Sequence, residues 1–268
     1  MSRTFAFRLW LDGLAAVLLL FGLSYWWLGN LPHELAGTAM FVLLIAHNIF
    51  NRRWYRNLPR AGREPRSLAN VAVTAGLLLA MLALLATSIP ISHALAPVLP
   101  PWGGFTVRQI HTLAAYWALV IVAIHLGMRW SRLMGIGRQI FGLRSTSVAR
   151  TCVLRAVTAA IAAYGVWSCL VLGLGMKLTM QMTLDWWNFE ESVAGFFFHV
   201  AAVAGLIIAG TYYALKLIEL ARHSRLRGAR DEVGRLVLER APRHGILRPS
   251  RSGNSVSRGS AAHPPEPT

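Results

Sequence analysis

An all-α, polytopic transmembrane bundle of six spans is the fold class that this sequence predicts, on three observations. Composition is the first: 55% of the 268 residues are hydrophobic, 14% are charged and the mean hydropathy is +0.47, which leaves too little polar surface to cover a soluble domain of this size. The second is a set of six apolar stretches, near 8–29, 33–51, 68–90, 107–129, 154–177 and 193–218. Each approaches the roughly 20 residues that a hydrocarbon core of about 30 Å requires. Charge placement is the third. Of 27 Lys and Arg residues, 25 precede the first span, fill the loops after the second and fourth, or lie at and beyond the end of the sixth; Arg108 and Lys177 fall on the other side. The positive-inside rule then puts both termini in the cytoplasm. The net charge of +16 is thereby read as topology. Membrane lipid is the expected partner and nucleic acid is not, because the arginines are spread over every inner loop as well as the tail.

Taken in order, the first span follows Arg3 and Arg8 as a signal peptide would. It is too long for one, and no small-residue cleavage site precedes Tyr25, Trp26 and Trp27, so it is read as a retained helix with an aromatic belt at its outer end. The second span, the shortest, carries His33 and His47. The third leads into an outer loop, 91–106 (ISHALAPVLPPWGGFT), whose prolines and glycines require irregular backbone. The fourth carries His111 and His125. Around the fifth, Cys152 and Cys169 stand seventeen apart with no CxxCH, which excludes thioether-linked haem and any disulfide framework. An outer loop, 178–192, is acidic and aromatic, with Asp185, Trp186, Trp187, Glu190 and Glu191. The sixth span holds His199 about two turns in. Residues 222–240 are expected to form a basic amphipathic helix on the inner leaflet, and 241–268, rich in Pro, Ser, Gly and Arg, to be disordered. Three regions follow: a four-helix core over 1–135, two additional spans over 136–221, and a basic tail over 222–268.

The four histidines of the core give it chemistry. His33 and His47 are fourteen residues apart, and His111 and His125 repeat the interval at an offset of 78. Fourteen steps of about 100° return a helical side chain to within roughly 40° of its starting face, about 21 Å along the axis. The segments HELAGTAMFVLLIAH and HTLAAYWALVIVAIH also share Leu35 with Leu113, Ala36 with Ala114 and Val42 with Val120, which suggests a duplicated hairpin. A parallel repeat carries matching positions to matching depths. His33 is then level with His111 toward the outside and His47 with His125 toward the inside. Each pair offers the two axial imidazoles of a six-coordinate haem iron, so two b-type haems are expected, one near each face. Small residues beside the ligands (Ala36, Gly37, Ala114, Ala115) leave room for a porphyrin. Arg108, one turn before His111, is the expected outer propionate partner, with Arg52, Arg53, Arg129 and Arg132 serving the inner haem. A lone histidine in a span is more often an interhelical hydrogen-bonding group than a ligand; duplication at matched depth is what favours ligation here.

Among the remaining groups, Glu34 is read as an interfacial cap, with proton acceptance from a quinol as the alternative. His199 has two open roles, contact with a quinone or donation to a neighbouring helix. His93 is expected to be solvated or capping, and His223, His244 and His263 to be solvated.

HELAGTAMFVLLIAHNIFNRRWY and HTLAAYWALVIVAIHLGMRW together resemble the flavinylation-associated cytochromes, bacterial membrane proteins related in design to the dihaem cytochrome b subunits of formate dehydrogenases and hydrogenases. The resemblance covers roughly residues 10–130 and departs at Thr112, which stands where the first copy has Glu34. It implies a bacterial inner-membrane protein that transfers electrons between a cytoplasmic or quinone donor and an extracytoplasmic acceptor, often a protein with covalently attached flavin. The expectation is an electron-transfer component of an oxidoreductase system, with no acid, base or nucleophile constellation of its own. Two alternatives stay open: a haem-free transporter or assembly protein using intramembrane histidines, and a metalloreductase acting directly at the outer haem. A transporter is expected to break its helices mid-span, whereas Pro32, Pro90, Pro97, Pro100 and Pro101 cluster at span ends.

Overall fold

The computed structural model of the chain describes residues 3–52, 65–142, 147–181 and 187–240. Arg53, Trp54, Arg56, Arg60, Arg63, Arg144, Asp185, Trp186 and the tail 241–268, all of which entered the sequence reading, lie outside these. Eight helices are described: α1 (Arg3–Leu23), α2 (Tyr25–Leu28), α3 (Asn30–Phe50), α4 (Pro65–Ile91), α5 (Gly104–Ile140), α6 (Val148–Val171), α7 (Leu174–Leu178) and α8 (Val193–Arg240). All but α2 and α7 are long and apolar enough to cross a membrane, so the chain is a multi-pass helical membrane protein.

Where helix ends differ from the hydropathy reading, local chemistry accounts for them. The first span stops at Leu23 because Ser24, fully buried, turns its hydroxyl onto the Phe21 carbonyl and the next turn restarts as α2. Gly29, at φ +72°, then reverses the chain into α3, a conformation open to glycine at little cost. The fifth span begins earlier than 154, at Val148, where the Ser147 hydroxyl accepts the Arg150 amide as an N-cap. It ends earlier too, because Gly173 at φ +58° separates α6 from α7. Residues 222–240 are not a separate helix. They continue α8 without a break to Arg240.

Packing is organised around α5. α4 packs along it most extensively, α1 pairs with α3 as a second hairpin, and α1 also touches α5. One face of α5 buries Ala114 and Ala118 with Leu19 of α1 and Ala80, Met81 and Leu84 of α4; Met40, Phe41 and Leu44 of α3 pack against that cluster. The opposite face buries Tyr116 and Leu119 against Leu172, Leu174, Phe196, Val200 and Val203. Glycines let α8 approach closely: a Cβ at Gly127 of α5 would lie 2.8 Å from the Ile208 carbonyl oxygen, and one at Gly165 of α6 would lie 2.5 Å from that of Ala202. Arg66 at the start of α4 forms an ion pair with Glu219 of α8. Residues Met1–Glu219 make one compact unit that includes both the four-helix core and the two further spans, and Leu220–Thr268 make a second.

Candidate functional site

Fourteen-residue spacing keeps His111 and His125 on one face of α5, with Ala114 and Ala118 on that same face between them. His33 and His47 bracket Gly37, Met40 and Leu44 on α3 in the same way. The structure brings the outer pair together: the rings of His33 and His111 have centroids 6.0 Å apart at 64°. An imidazole nitrogen sits about 2 Å from a bound transition metal. Two nitrogens on opposite sides of one ion are therefore about 4 Å apart, and with roughly 1 Å from each nitrogen to its ring centre the centroids fall about 6 Å apart. The observed spacing fits a shared axial pair. At the inner level, His47 lies within electrostatic reach of His125, together with Asp12 and Arg129.

Two further observations bear on whether a porphyrin fits. Backbone contact between α3 and α5 is sparse among the described residues, and α3 has no buried residue at all; the two helices approach through side chains, with Met40, Phe41 and Leu44 against the cluster that holds Ala114 and Ala118. Nδ1 of His125 is buried and makes no hydrogen bond; Nδ1 of His33 makes none either, although the backbone of Gly22 lies close to its ring. Buried polar atoms are rarely left so. Between the two levels lies the dry cluster of Leu19, Ala80, Met81, Leu84, Ala114 and Ala118, a low-dielectric layer with no polar side chain in it.

The orienting partners of the histidines differ. His111 Nδ1 is 3.0 Å from the Thr87 hydroxyl of α4. His47 Nδ1 is 2.7 Å from Oδ1 of Asp12 on α1. This carboxylate was absent from the sequence reading, and an ionisable residue inside a span was the signal that could have found it.

Glu34 is a clamp. Its carboxylate accepts from the Asn30 side chain at 2.8 Å, the Ser92 hydroxyl at 3.0 Å, and the backbone amides of His93 at 2.7 Å and Ala94 at 3.2 Å. It thereby caps the chain leaving α4 and ties it to α3 beside the outer pair, which is the capping role expected. His93 takes part through its backbone. Arg108 is exposed, one turn before His111, and makes no hydrogen bond or ion pair among the described residues. Arg8 donates to the Phe50 carbonyl at 3.2 Å, tying α1 to the end of α3.

His199 does not join either pair. Buried at 8% exposure, its Nδ1 is 2.8 Å from the Ser168 hydroxyl and its Nε2 is 3.3 Å from the Tyr164 hydroxyl, with its ring stacked on Tyr164. Of the two roles left open for it, the structure shows hydrogen bonding to the neighbouring helix α6. Lys177 folds over the Tyr116 ring and donates to its hydroxyl at 3.1 Å, and burial pushes its ammonium down to about 8.

Among the described residues there is no group of three or more His, Cys, Asp or Glu side chains able to hold a metal ion by themselves. A haem supplies four nitrogens of its own and asks only two ligands of the protein, so the histidine pairs fit that group and not a protein-only metal cage. Comparison with protein-family models, curated proteins and solved structures finds no match to this chain.

Proposed function

We propose that the chain is a dihaem, b-type membrane cytochrome that carries electrons between a cytoplasmic or quinone donor and an extracytoplasmic acceptor, in a bacterial inner membrane with both termini inside. The observation that carries the reading is the pairing of His33 with His111 at metal-bridging distance, above a second histidine level fourteen residues on. When bound, haem b supplies a one-electron iron couple at each level.

The chain's own residues do the rest. His33 and His111 would hold the outer group and His47 and His125 the inner one, each pair drawn from two helices. Thr87 and Asp12 fix the ring rotation of His111 and His47 through Nδ1, which would leave Nε2 of each free to hold the iron. Met40, Leu44, Leu84 and Ala118 exclude water from the space between the levels. Arg108 is assigned to the outer propionates, and Arg129 and Arg132 to the inner ones. On the outside, exposed Glu190 and Glu191 offer an acidic dock for a redox partner, such as one carrying covalent flavin, and charge would steer that encounter.

Purification followed by a pyridine haemochrome assay tests the reading: two haem b per chain are expected, and none after full haem supply refutes it. Accessibility of a single-cysteine tag after residue 268 tests the topology, and labelling from outside refutes it.

A further inference from the structure

The two histidine levels are not chemically equivalent, and Asp12 makes the difference. At the inner level, His47 Nδ1 is 2.7 Å from the Asp12 carboxylate; at the outer level, His111 Nδ1 meets the neutral Thr87 hydroxyl at 3.0 Å. From this asymmetry, and resting on the dihaem reading above, we infer that Asp12 is a positioning residue that makes the inner iron the harder of the two to reduce. A carboxylate accepting the N–H of a ligating imidazole raises the basicity of that ligand and adds negative charge beside the metal, and both effects favour the oxidised ion. A neutral hydroxyl raises the basicity less and adds no charge.

Two other charges act against it, Glu34 within electrostatic reach of His33 at the outer level and Arg129 within reach of His125 at the inner, but neither makes a hydrogen bond to a ring nitrogen as Asp12 does. Glu34 stands next to His33, but its carboxylate oxygens are taken by four donors, Asn30, Ser92 and the His93 and Ala94 amides, and none of its hydrogen bonds goes to a ring nitrogen. Arg129 lies within electrostatic reach of Asp12 and Arg132, one turn beyond His125 toward the membrane face where propionates would neutralise the two cations. Arg8, one turn before Asp12 on α1, is engaged with the Phe50 carbonyl. What separates the levels is the direct hydrogen bond from a ligand ring to a charged carboxylate. The internal exchange it favours is one electron from the inner iron, oxidised from ferrous to ferric, to the outer iron, reduced from ferric to ferrous, with no proton moved.

The test is a potentiometric titration of the haem b difference spectrum in the purified chain, wild type against Asp12→Asn and Asp12→Glu. Asp12→Asn keeps the shape and removes the charge. Its low-potential component is expected to rise by about tenfold or more in the reduction equilibrium constant, the size of typical outer-shell effects, which is about 59 mV for one electron. The high-potential component stays in place, and Asp12→Glu falls back toward wild type. An unmoved low-potential component, or a shift of the high-potential one instead, overturns the assignment. Thr87→Asp supplies a second route if Asp12→Asn fails to retain its inner haem: placing a carboxylate at the outer ring must lower the outer potential, and an unchanged outer potential overturns the inference. A chain that binds no haem b overturns the functional reading, whereas two haems with potentials indifferent to both substitutions overturn the role of Asp12 alone.

Discussion

Replacing Gly165 by Ala is expected to cost about 2 kcal/mol of fold stability, although alanine is the better helix former. The added Cβ would meet the Ala202 carbonyl oxygen at 2.5 Å and the Leu206 Cβ at 2.7 Å. Ordinary contact begins near 3.4 Å, so α8 must retreat by about 0.9 Å, and because the obstacle is backbone no side-chain rotation relieves it. Overpacking of this kind costs up to about 3 kcal/mol, against which the helix-propensity gain of alanine returns about 1. Gly210, on α8 itself, has nothing within 4 Å of a built Cβ, so Gly210→Ala keeps only the gain and is expected to be neutral or about 1 kcal/mol stabilising. Gly205→Ala falls between them, since its one close neighbour is the Ile161 side chain at 2.6 Å. Reversible unfolding in mixed micelles, followed by helical ellipticity, measures all three. A Gly165→Ala protein as stable as Gly210→Ala refutes the claim that α6 and α8 meet backbone to backbone here.

Further outcomes are expected. His33→Ala and His111→Ala should each lower the haemochrome yield from two to one per chain and remove the same spectral component, and loss of different components refutes the pairing. Glu34→Ala should speed amide exchange of the 92–94 segment by at least about tenfold, since hydrogen bonds to a charged group contribute roughly 1.5–3 kcal/mol; unchanged protection measured by mass spectrometry refutes the clamp. Lys177, held near 8 in the folded chain against an ordinary 10.5, binds its proton more weakly folded than unfolded. Stability is therefore expected to rise between about pH 8 and 10.5, where the unfolded chain still holds that proton, and Lys177→Met should remove that rise in pH-dependent unfolding curves.

Six spans and the doubled histidine spacing were legible in the sequence because both are long-range regularities: apolar runs average over some twenty residues, and a period of fourteen survives any error in helix ends. The ends themselves were less legible. Ser24 and Gly173 interrupt helices through a single hydroxyl bond and a single left-handed φ, which hydropathy does not register. Asp12 was lost in an apolar stretch where one acid hardly lowers the mean. Glu34 was assigned a cap, yet which segment it caps depended on Ser92, His93 and Ala94, 58 to 60 residues onward, and no local pattern announces them. His199 offered two roles, and only the approach of α6 and α8 through Gly165 and Gly205 brings Ser168 and Tyr164 to its ring.

The bond between Asp12 and His47 has a consequence for biosynthesis. Both residues belong to the α1/α3 hairpin, which leaves the ribosome before the helix that carries His111 and His125. At roughly 5–20 residues per second, the 78 residues separating His47 from His125 take on the order of 4–16 s to appear. During that interval α3, with no buried residue of its own, has first α1 and then α4 for company in the bilayer. Asp12 would then be a lone acid beside lipid, at a cost that translocation resists. With His47 at 2.7 Å it gains a hydrogen-bond partner as soon as the hairpin closes, so the nascent hairpin can wait in the membrane until its other half arrives.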